Sequence, residues 1–393
     1  VKTRLEDKLM AMAQAKQKTA PCSKGVLEQE RAISVSHFPD VHDNIACALS
    51  SMGNNDFTAI GPSARILFMD TETTGLSTGA GTVAFLVGIG YINNGMLTVR
   101  QYFMRDYNDE PELLNRLKCI LPHFDILVTF NGATYDLPLL KTRFLMNRMD
   151  PEPFMMPHAD LLHMARRVFK LRLRNCPLSR LEEWVLGVHR TQDIPGMLVP
   201  ERYFSYLKSG DLSLLDDVFI HNQQDIVALY GLMSTLIQMY EHPQTVTHHQ
   251  DIYSIGLALE KKKQYERARA CFSLALNGDC AYQSLNRLAH NYRKTGEYCK
   301  AAEVFKRMTQ HHNSGVEPYI ELAKLYEHRF KDDDKALEYA LQAARILNGD
   351  GLGDALPVQA AQNALQCRCD RLLRRVKSGE EQQHGVHGKH QGA

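Results

Sequence analysis

The stretch Ile66–Glu72 reads I-L-F-M-D-T-E, four apolar residues running without a break into two acids. A short continuous apolar run predicts a strand buried on both faces, the kind found inside α/β sheets. Side chains alternate along a strand, so Asp70 and Glu72 are expected to project together from its carboxyl end while Thr71 points the other way. Two carboxylates in one small volume raise each other's pKa unless something positive lies between them, and a divalent cation is the simplest such group. On its own the pair also fits a strand end with solvated acids before the Gly75 turn. The residues downstream decide between the two.

Beyond the Thr73-Thr74-Gly75-Leu76 turn, the β-rich runs Thr82–Ile92 and Met96–Met104 flank Asn93-Asn94-Gly95, a strong hairpin signal. Asp109 and Glu112 have the spacing of a capping box before a helix carrying Leu113, Leu114 and Leu117. A second buried strand, Asp125–Phe130, ends in N-G-A-T-Y-D, which carries Asn131 and Asp136, and leads into a helix. Asp160 reads as a short strand or cap before another helix, and Leu178–Leu186 as a helix stopped by Gly187. From Ser213 to Gln238 one long helical pattern places His221 and Asp225 four apart, on one face. Antiparallel strands, a helix, a further strand and more helices predict an α/β domain over residues 61–240, a mixed sheet with flanking helices. Residues 1–60 read as an N-terminal extension, partly disordered, whose later part packs on that domain.

From about Gln250 the chain becomes repetitive. Gly256, Ala268 and Phe272 have the same mutual spacing as Ala289, Ala301 and Phe305, 33 residues on, and a looser copy contains Ala323, Ala336 and Ala340. The pattern resembles tetratricopeptide repeats, helix pairs in which small residues let the two helices approach closely, and three copies are about the minimum for a stable stack. Residues 250–348 are therefore expected to be an all-α repeat module that binds another protein. Residues 349–393 are expected to be a C-terminal helix and a disordered tail without periodicity from Ser378 onward.

Basic and acidic residues nearly cancel, 46 against 45, so any nucleic-acid surface must be a local patch. The densest basic run is Arg166, Arg167, Lys170, Arg172 and Arg174, which fits either phosphate contacts or a solvated helix face. Nine cysteines without a C-x-x-C pair argue for a reducing cytoplasm and against a common zinc framework. With no long apolar window and no secretory h-region, a chain that is neither secreted nor membrane-spanning is expected.

Asp70-Thr71-Glu72, Asn131 to Tyr135-Asp136, and His221 to Asp225 together resemble the three motifs of the DEDD exonuclease superfamily, which has a ribonuclease-H-like fold. The longer matches D-T-E-T-T-G-L, N-G-x-x-Y-D, D-I-P-G and H-N-x-x-D look like the bacterial YprB-like family, whose members often carry tetratricopeptide repeats. The resemblance implies a 3′ to 5′ exonuclease on DNA or RNA, with Asp70, Glu72, Asp136 and Asp225 as metal ligands and His221 as the general base. It also implies that Thr74, Gly75, Leu76 and Asn131 meet the terminal nucleotide, Leu76 wedging against its base, and that Asp160 lies outside the metal site as a structural cap. One departure stands out: His221 lies four residues before Asp225, the interval of the tyrosine-type branch, where the histidine-type branch has five.

The chemistry accounts for these residue types without the family. Phosphodiester hydrolysis needs an activated water and neutralised charge on the attacking and leaving oxygens, which two Mg²⁺ or Mn²⁺ ions about 4 Å apart supply. Hard cations take oxygen ligands, and an imidazole with an ordinary pKa near 6.5 suits proton removal at neutral pH. Trp184 and the Asp193–Gly196 loop fit a groove lining as well as core packing and turn geometry. A second reading is an inactive nuclease fold that works as a scaffold through its repeats.

Overall fold

The computed structural model describes residues 25–40, 45–75, 81–190, 193–311, 315–349 and 356–387. Among them six strands form one sheet: β1 (Leu27–Ile33), β2 (Ile66–Thr73), β3 (Ala84–Asn93), β4 (Met96–Phe103), β5 (Ile126–Thr129) and β6 (His158–Asp160). Their spatial order is β1-β4-β3-β2-β5-β6, with β1 to β2 mutually antiparallel and β5 and β6 added parallel to β2. The two apolar runs, β2 and β5, thus lie side by side at the centre, where Leu67, Met69 and Ile126–Val128 are fully buried. Asn94 and Gly95 both have positive φ, 50° and 75°, the backbone of a two-residue primed turn whose twist matches the strands it joins.

The segment Leu27–Ile33, left outside the domain by the sequence pattern, supplies the edge strand β1. Its alternation is polar because its partners are charged. Arg100 Nε donates to the cross-strand Glu30 at 2.8 Å, and Arg116 pairs with Glu28. Charged pairs on an edge strand discourage pairing with other chains but erase the hydrophobic signal. Helix α1 (Ile45–Met52) follows in the same segment. Helices α2 (Glu110–Ile120), α3 (Asp136–Met146), α4 (Leu161–Leu173), α5 (Leu178–Leu181), α6 (Val199–Ser209) and α7 (Asp216–Glu241) flank the sheet. The capping box lies one turn earlier than the sequence spacing places it, with Asp106 and Asp109 as its members, while Glu112 pairs with Arg116. Gly231, the one glycine within α7, is explained by Phe38, which a Cβ there would approach to 2.6 Å.

A second compact unit begins at His248. It stacks α8 (His249–Lys261), α9 (Tyr265–Leu274), α10 (Ala281–Lys294), α11 (Tyr298–Thr309), α12 (Glu317–Leu325), α13 (Asp333–Gly349) and α14 (Leu356–His387). The repeat residues sit where the helices of each pair meet: Ala268, Ala289, Ala301, Ala323, Ala336 and Ala340 are fully buried, and a Cβ on Gly256 would lie 2.6 Å from the Phe272 ring. Buried Glu327 accepts from Arg368 and Arg371 and so ties down α14, which continues past Ser378 to His387 where the sequence pattern predicts a tail. Among the described residues no helix is long and apolar enough to cross a membrane, and eight cysteines are free.

Candidate active site at the end of the central strand

The site begins with two glycines. Gly88 lies opposite Asp70 and Gly90 opposite Phe68 in the β2–β3 ladder, and a Cβ on either would strike α7, at 2.2 Å from Asn222 Oδ1 and 2.3 Å from Ile226 Cγ2. The glycines are therefore a notch that lets a helix lie against the sheet. Through that notch, Asn222 Nδ2 donates to Asp70 Oδ2 at 2.9 Å, while Asn222 Oδ1 accepts from Gln101 Nε2 at 2.9 Å. Gln101 Nε2 also donates to the Phe219 carbonyl at 2.9 Å, so a buried polar relay connects β4, α7 and β2. Buried amides with every group paired fix one register and disfavour others.

That register brings the last motif to the first. Glu72, His221 and Asp225 offer ligand atoms that all lie within 4.8 Å of one another. Asp70 is held well above the usual carboxylate range by burial and then by Asp225, Glu72 and Asp136. Glu72 is pushed up to about 8 by burial, with Asp225 and Asp136 adding to it and His221 opposing. Asp136 is pushed up to about 6, again by burial first. The four acids thus share one electrostatic site. An oxygen-rich, mutually repelling donor set fits a hard divalent cation.

Thr71, between Asp70 and Glu72, donates to Asp136 Oδ1. Asp136 opens α3, and the loop before it is clamped by Asp160, whose carboxylate accepts from Asn131 N at 2.8 Å, Ala133 N at 3.2 Å and Leu162 N at 3.0 Å. Asp160 is thus both the end of β6 and the cap of α4, as the sequence suggests. Asn131 takes a left-handed backbone, φ 63°, which asparagine tolerates better than most residues, and lines the cleft beside Asp70. Thr74 Oγ1 accepts from Val83 N at 3.0 Å and Gly75 closes the turn, while Leu76 lies outside the described residues.

Two further residues complete the cluster: Arg190, which no motif marks, and Asp193, the first residue of D-I-P-G. Asp193 Oδ1 lies 2.5 Å from His221 Nδ1. Arg190 Nη1 approaches the same Nδ1 at 3.1 Å, and Nε2 is turned to Asp225 Oδ2 at 3.4 Å and Glu72 Oε1 at 3.8 Å. Burial lowers the His221 pKa, but Asp225, Glu72 and Asp193 outweigh it and the net shift is upward. Arg190 donates to Glu182 Oε1 from Nε at 3.1 Å and from its Nη2 at 2.8 Å, and to Asp225. Burial opposes its charge, yet Asp225 and Glu182 hold the guanidinium firmly cationic. Glu182 itself is raised to about 7 by burial, against the pull of Arg190. It opens a π-helical turn, Glu182–Leu186, that continues α5 and presents Trp184, 58% exposed, to solvent.

A cleft of about 810 Å³ runs from Asp70, Asn131 and Asp225 to Arg166, Lys170 and Arg174. The basic run divides by helical face: these three, spaced by four, line the cleft, whereas Arg167 donates to the Met52 carbonyl and Arg172 lies 5.9 Å from the Phe169 ring. Anionic and cationic walls in one groove suit a polyanion whose scissile end meets the acids.

A family model described as RNase_H superfamily matches residues 67–237, and a tetratricopeptide-repeat model matches residues 252–277. The Bacillus subtilis (strain 168) "Uncharacterized protein YprB" is 31% identical over 326 residues, 80% of this chain and 76% of that protein. The chain belongs to the YprB-like branch of the ribonuclease H superfamily. Among solved structures, 51% of this YprB-like chain matches 30% of the family B DNA polymerase from Pyrobaculum calidifontis, with a TM-score of 0.35 and 14% identity.

Proposed function

We propose that this protein is a metal-dependent 3′ to 5′ exonuclease acting on DNA or RNA in the cytoplasm, with a helical repeat module that binds a protein partner. The observation that carries the reading is the convergence of Asp70, Glu72, Asp136 and Asp225 from three separated segments, two of them, Asp70 and Asp225, lining a cleft that also carries Arg166, Lys170 and Arg174. These carboxylates would hold Mg²⁺ or Mn²⁺, which when bound would supply Lewis acidity and a lowered pKa for a water. The rest is the work of side chains. Asp193 and Arg190 hold the His221 ring from its Nδ1 side, which leaves Nε2, facing Glu72 and Asp225, as the atom that takes a proton from water. Arg166, Lys170 and Arg174 hold the phosphates that precede the scissile one, and Asn131 borders the terminal nucleotide. The 3′ to 5′ polarity follows from the resemblance of the three acidic motifs to the DEDD exonucleases.

End-labelled single- and double-stranded DNA and RNA, incubated with Mg²⁺, Mn²⁺ or EDTA, test the reading. Stepwise loss of 3′ nucleotides with metal, and none in EDTA, is expected. No cleavage of any of the four substrates favours the second reading, an idle nuclease fold that acts as a scaffold. Its supporting observation is Arg190, which already neutralises Asp225.

A further inference from the structure

Arg190 has more acidic partners than one cation needs. Its side chain is 7% exposed, and it contacts Glu182 at 2.8 Å, Asp193 at 3.4 Å, and Asp225. Asp225 is also the carboxylate whose oxygen stands with Glu72 and His221 in the cation-sized cluster. One carboxylate therefore serves two positive partners. The Glu182 contact is the anchor: Val188 N donates to the Glu182 carbonyl at 2.8 Å, and Gly187, φ 67°, turns the chain so that Arg190 returns to the residue that opens the π-helical turn. Arg190 also borders a small cavity of about 40 Å³, whose lining includes Glu182, Leu186, Val188, Gln224 and Val227. Gln224 keeps its Oε1 buried without a hydrogen-bond partner, a costly state for an amide oxygen. The anchored guanidinium thus holds one acceptor, Asp225, and shares a cavity wall with Gln224, whose Oε1 it does not engage.

We propose that Arg190 is an exchangeable counter-ion for the metal site: it neutralises Asp225 when no cation is bound, and yields Asp225 on metal entry by turning toward Gln224 Oε1 while Glu182 retains it. The inference rests on the metal-centre reading above and adds a device to it. Metal loading is then an exchange of one cation for another, and the affinity of the site is set partly by an arginine that never leaves the protein.

Calorimetric titration of the full chain with Mn²⁺ alone, without nucleic acid, tests this. Arg190→Gln removes the competitor, and like charges at this range interact strongly enough that affinity should rise at least about tenfold. Gln224→Leu removes the alternative acceptor and should weaken Mn²⁺ binding by roughly threefold to tenfold, the scale of one hydrogen bond. In melts, Mn²⁺ should raise the Tm of Arg190→Gln by more than that of wild type. Should Arg190→Gln fail to fold in chelator, Arg190→Lys takes its place. It keeps a cation but loses the two-pronged grip, and is expected to bind Mn²⁺ more tightly than wild type. Binding by wild type with no gain in the arginine variant overturns the exchange alone. No binding by either overturns the metal centre and the exchange together.

Discussion

Asn222 Nδ2 donates to Asp70 Oδ2 at 2.9 Å, and Asn222 is itself held from behind by Gln101. Helix and strand are thereby locked in the register that sets Asp225 beside Asp70, one turn of helix along. Asn222→Leu keeps the volume and removes the bond. It should cost about 1–3 kcal/mol in denaturant unfolding and at least about tenfold in turnover. Gly88→Ala should do the same from the other side, since its Cβ would fall 2.2 Å from Asn222 Oδ1. Full activity in Asn222→Leu would show that the register is held elsewhere.

The raised carboxyls make the metal-free protein sensitive to base. Asp136 at about 6 and Glu72 at about 8 bind protons more tightly than the unfolded chain does. Their contribution to stability is therefore fully present below about pH 4 and is lost as pH climbs through those two values. In EDTA, Tm should fall between about pH 5 and about pH 8.5. With Mn²⁺ the slope should flatten or reverse, because bound cation replaces the protons and its binding releases them. Parallel slopes with and without Mn²⁺ would move the metal away from these acids. In Asp70→Asn and Asp225→Asn, which should lose most turnover and keep their fold, Mn²⁺ should raise Tm only slightly.

The basic wall gives a separate test. Arg166→Ala and Lys170→Ala should each weaken binding of a short oligonucleotide across sequences and lower the salt slope by about 1. Arg167→Ala, which donates to the Met52 carbonyl, should instead lower stability and leave the slope unchanged. An unchanged salt slope in both cleft variants would place the phosphates on another surface.

How much of this could be read from the sequence follows from which residues signal through local pattern. The β2 run, the Asn94-Gly95 hairpin and the α7 periodicity are local, and the fold they predict is the one observed. β1 escaped because its partners are ionic and its pattern therefore polar. Asp70, Glu72 and Asp136 stand out in the sequence because acids just after apolar strand runs are chemically conspicuous, and Asp225, inside α7, because it follows His221 by one helical turn. Arg190 does not, since no motif marks it, and although Asp193 and Asn222 fall inside the D-I-P-G and H-N-x-x-D matches, their contacts with His221 and Asp70 lie 28 and 152 residues away in sequence and carry no local signal. The G-I-G of β3 was the available hint to Asn222: glycines inside an apolar strand signal a close neighbour.

The division between Thr247 and His248 predicts modular behaviour. A chain ending near Thr247 keeps β1–β6 and α1–α7, including every residue of the site, and should degrade short oligonucleotides at a rate within about threefold of the whole protein, a difference under 1 kcal/mol. Capture of a protein partner should be lost. A folded but inactive fragment, shown folded by circular dichroism, would make the repeats part of the nuclease.

His221 carries the sharpest prediction, because its four-residue interval to Asp225 belongs to the tyrosine-type branch. If Nε2 takes the proton from water, His221→Ala should lose on the order of 10²-fold in turnover, the usual scale for a positioned base. His221→Tyr should recover part of that loss, since a hydroxyl at this spacing can still orient the water, and its acid limb should be flatter. Asp193 tests the same idea through pH. Asp225, Glu72 and Asp193 together raise the His221 pKa against burial, and the base works only when unprotonated, so wild-type activity should fall as pH drops through that raised value. Asp193→Asn removes one of those charges. The acid limb should therefore move to lower pH, and turnover should fall roughly tenfold as the imidazole loses a charged partner that orients it. Structural loosening alone would lower the rate without moving the limb. Wild-type rates in His221→Ala across the whole pH range would leave water activation to the metal ions and reduce His221 to a partner of Asp193.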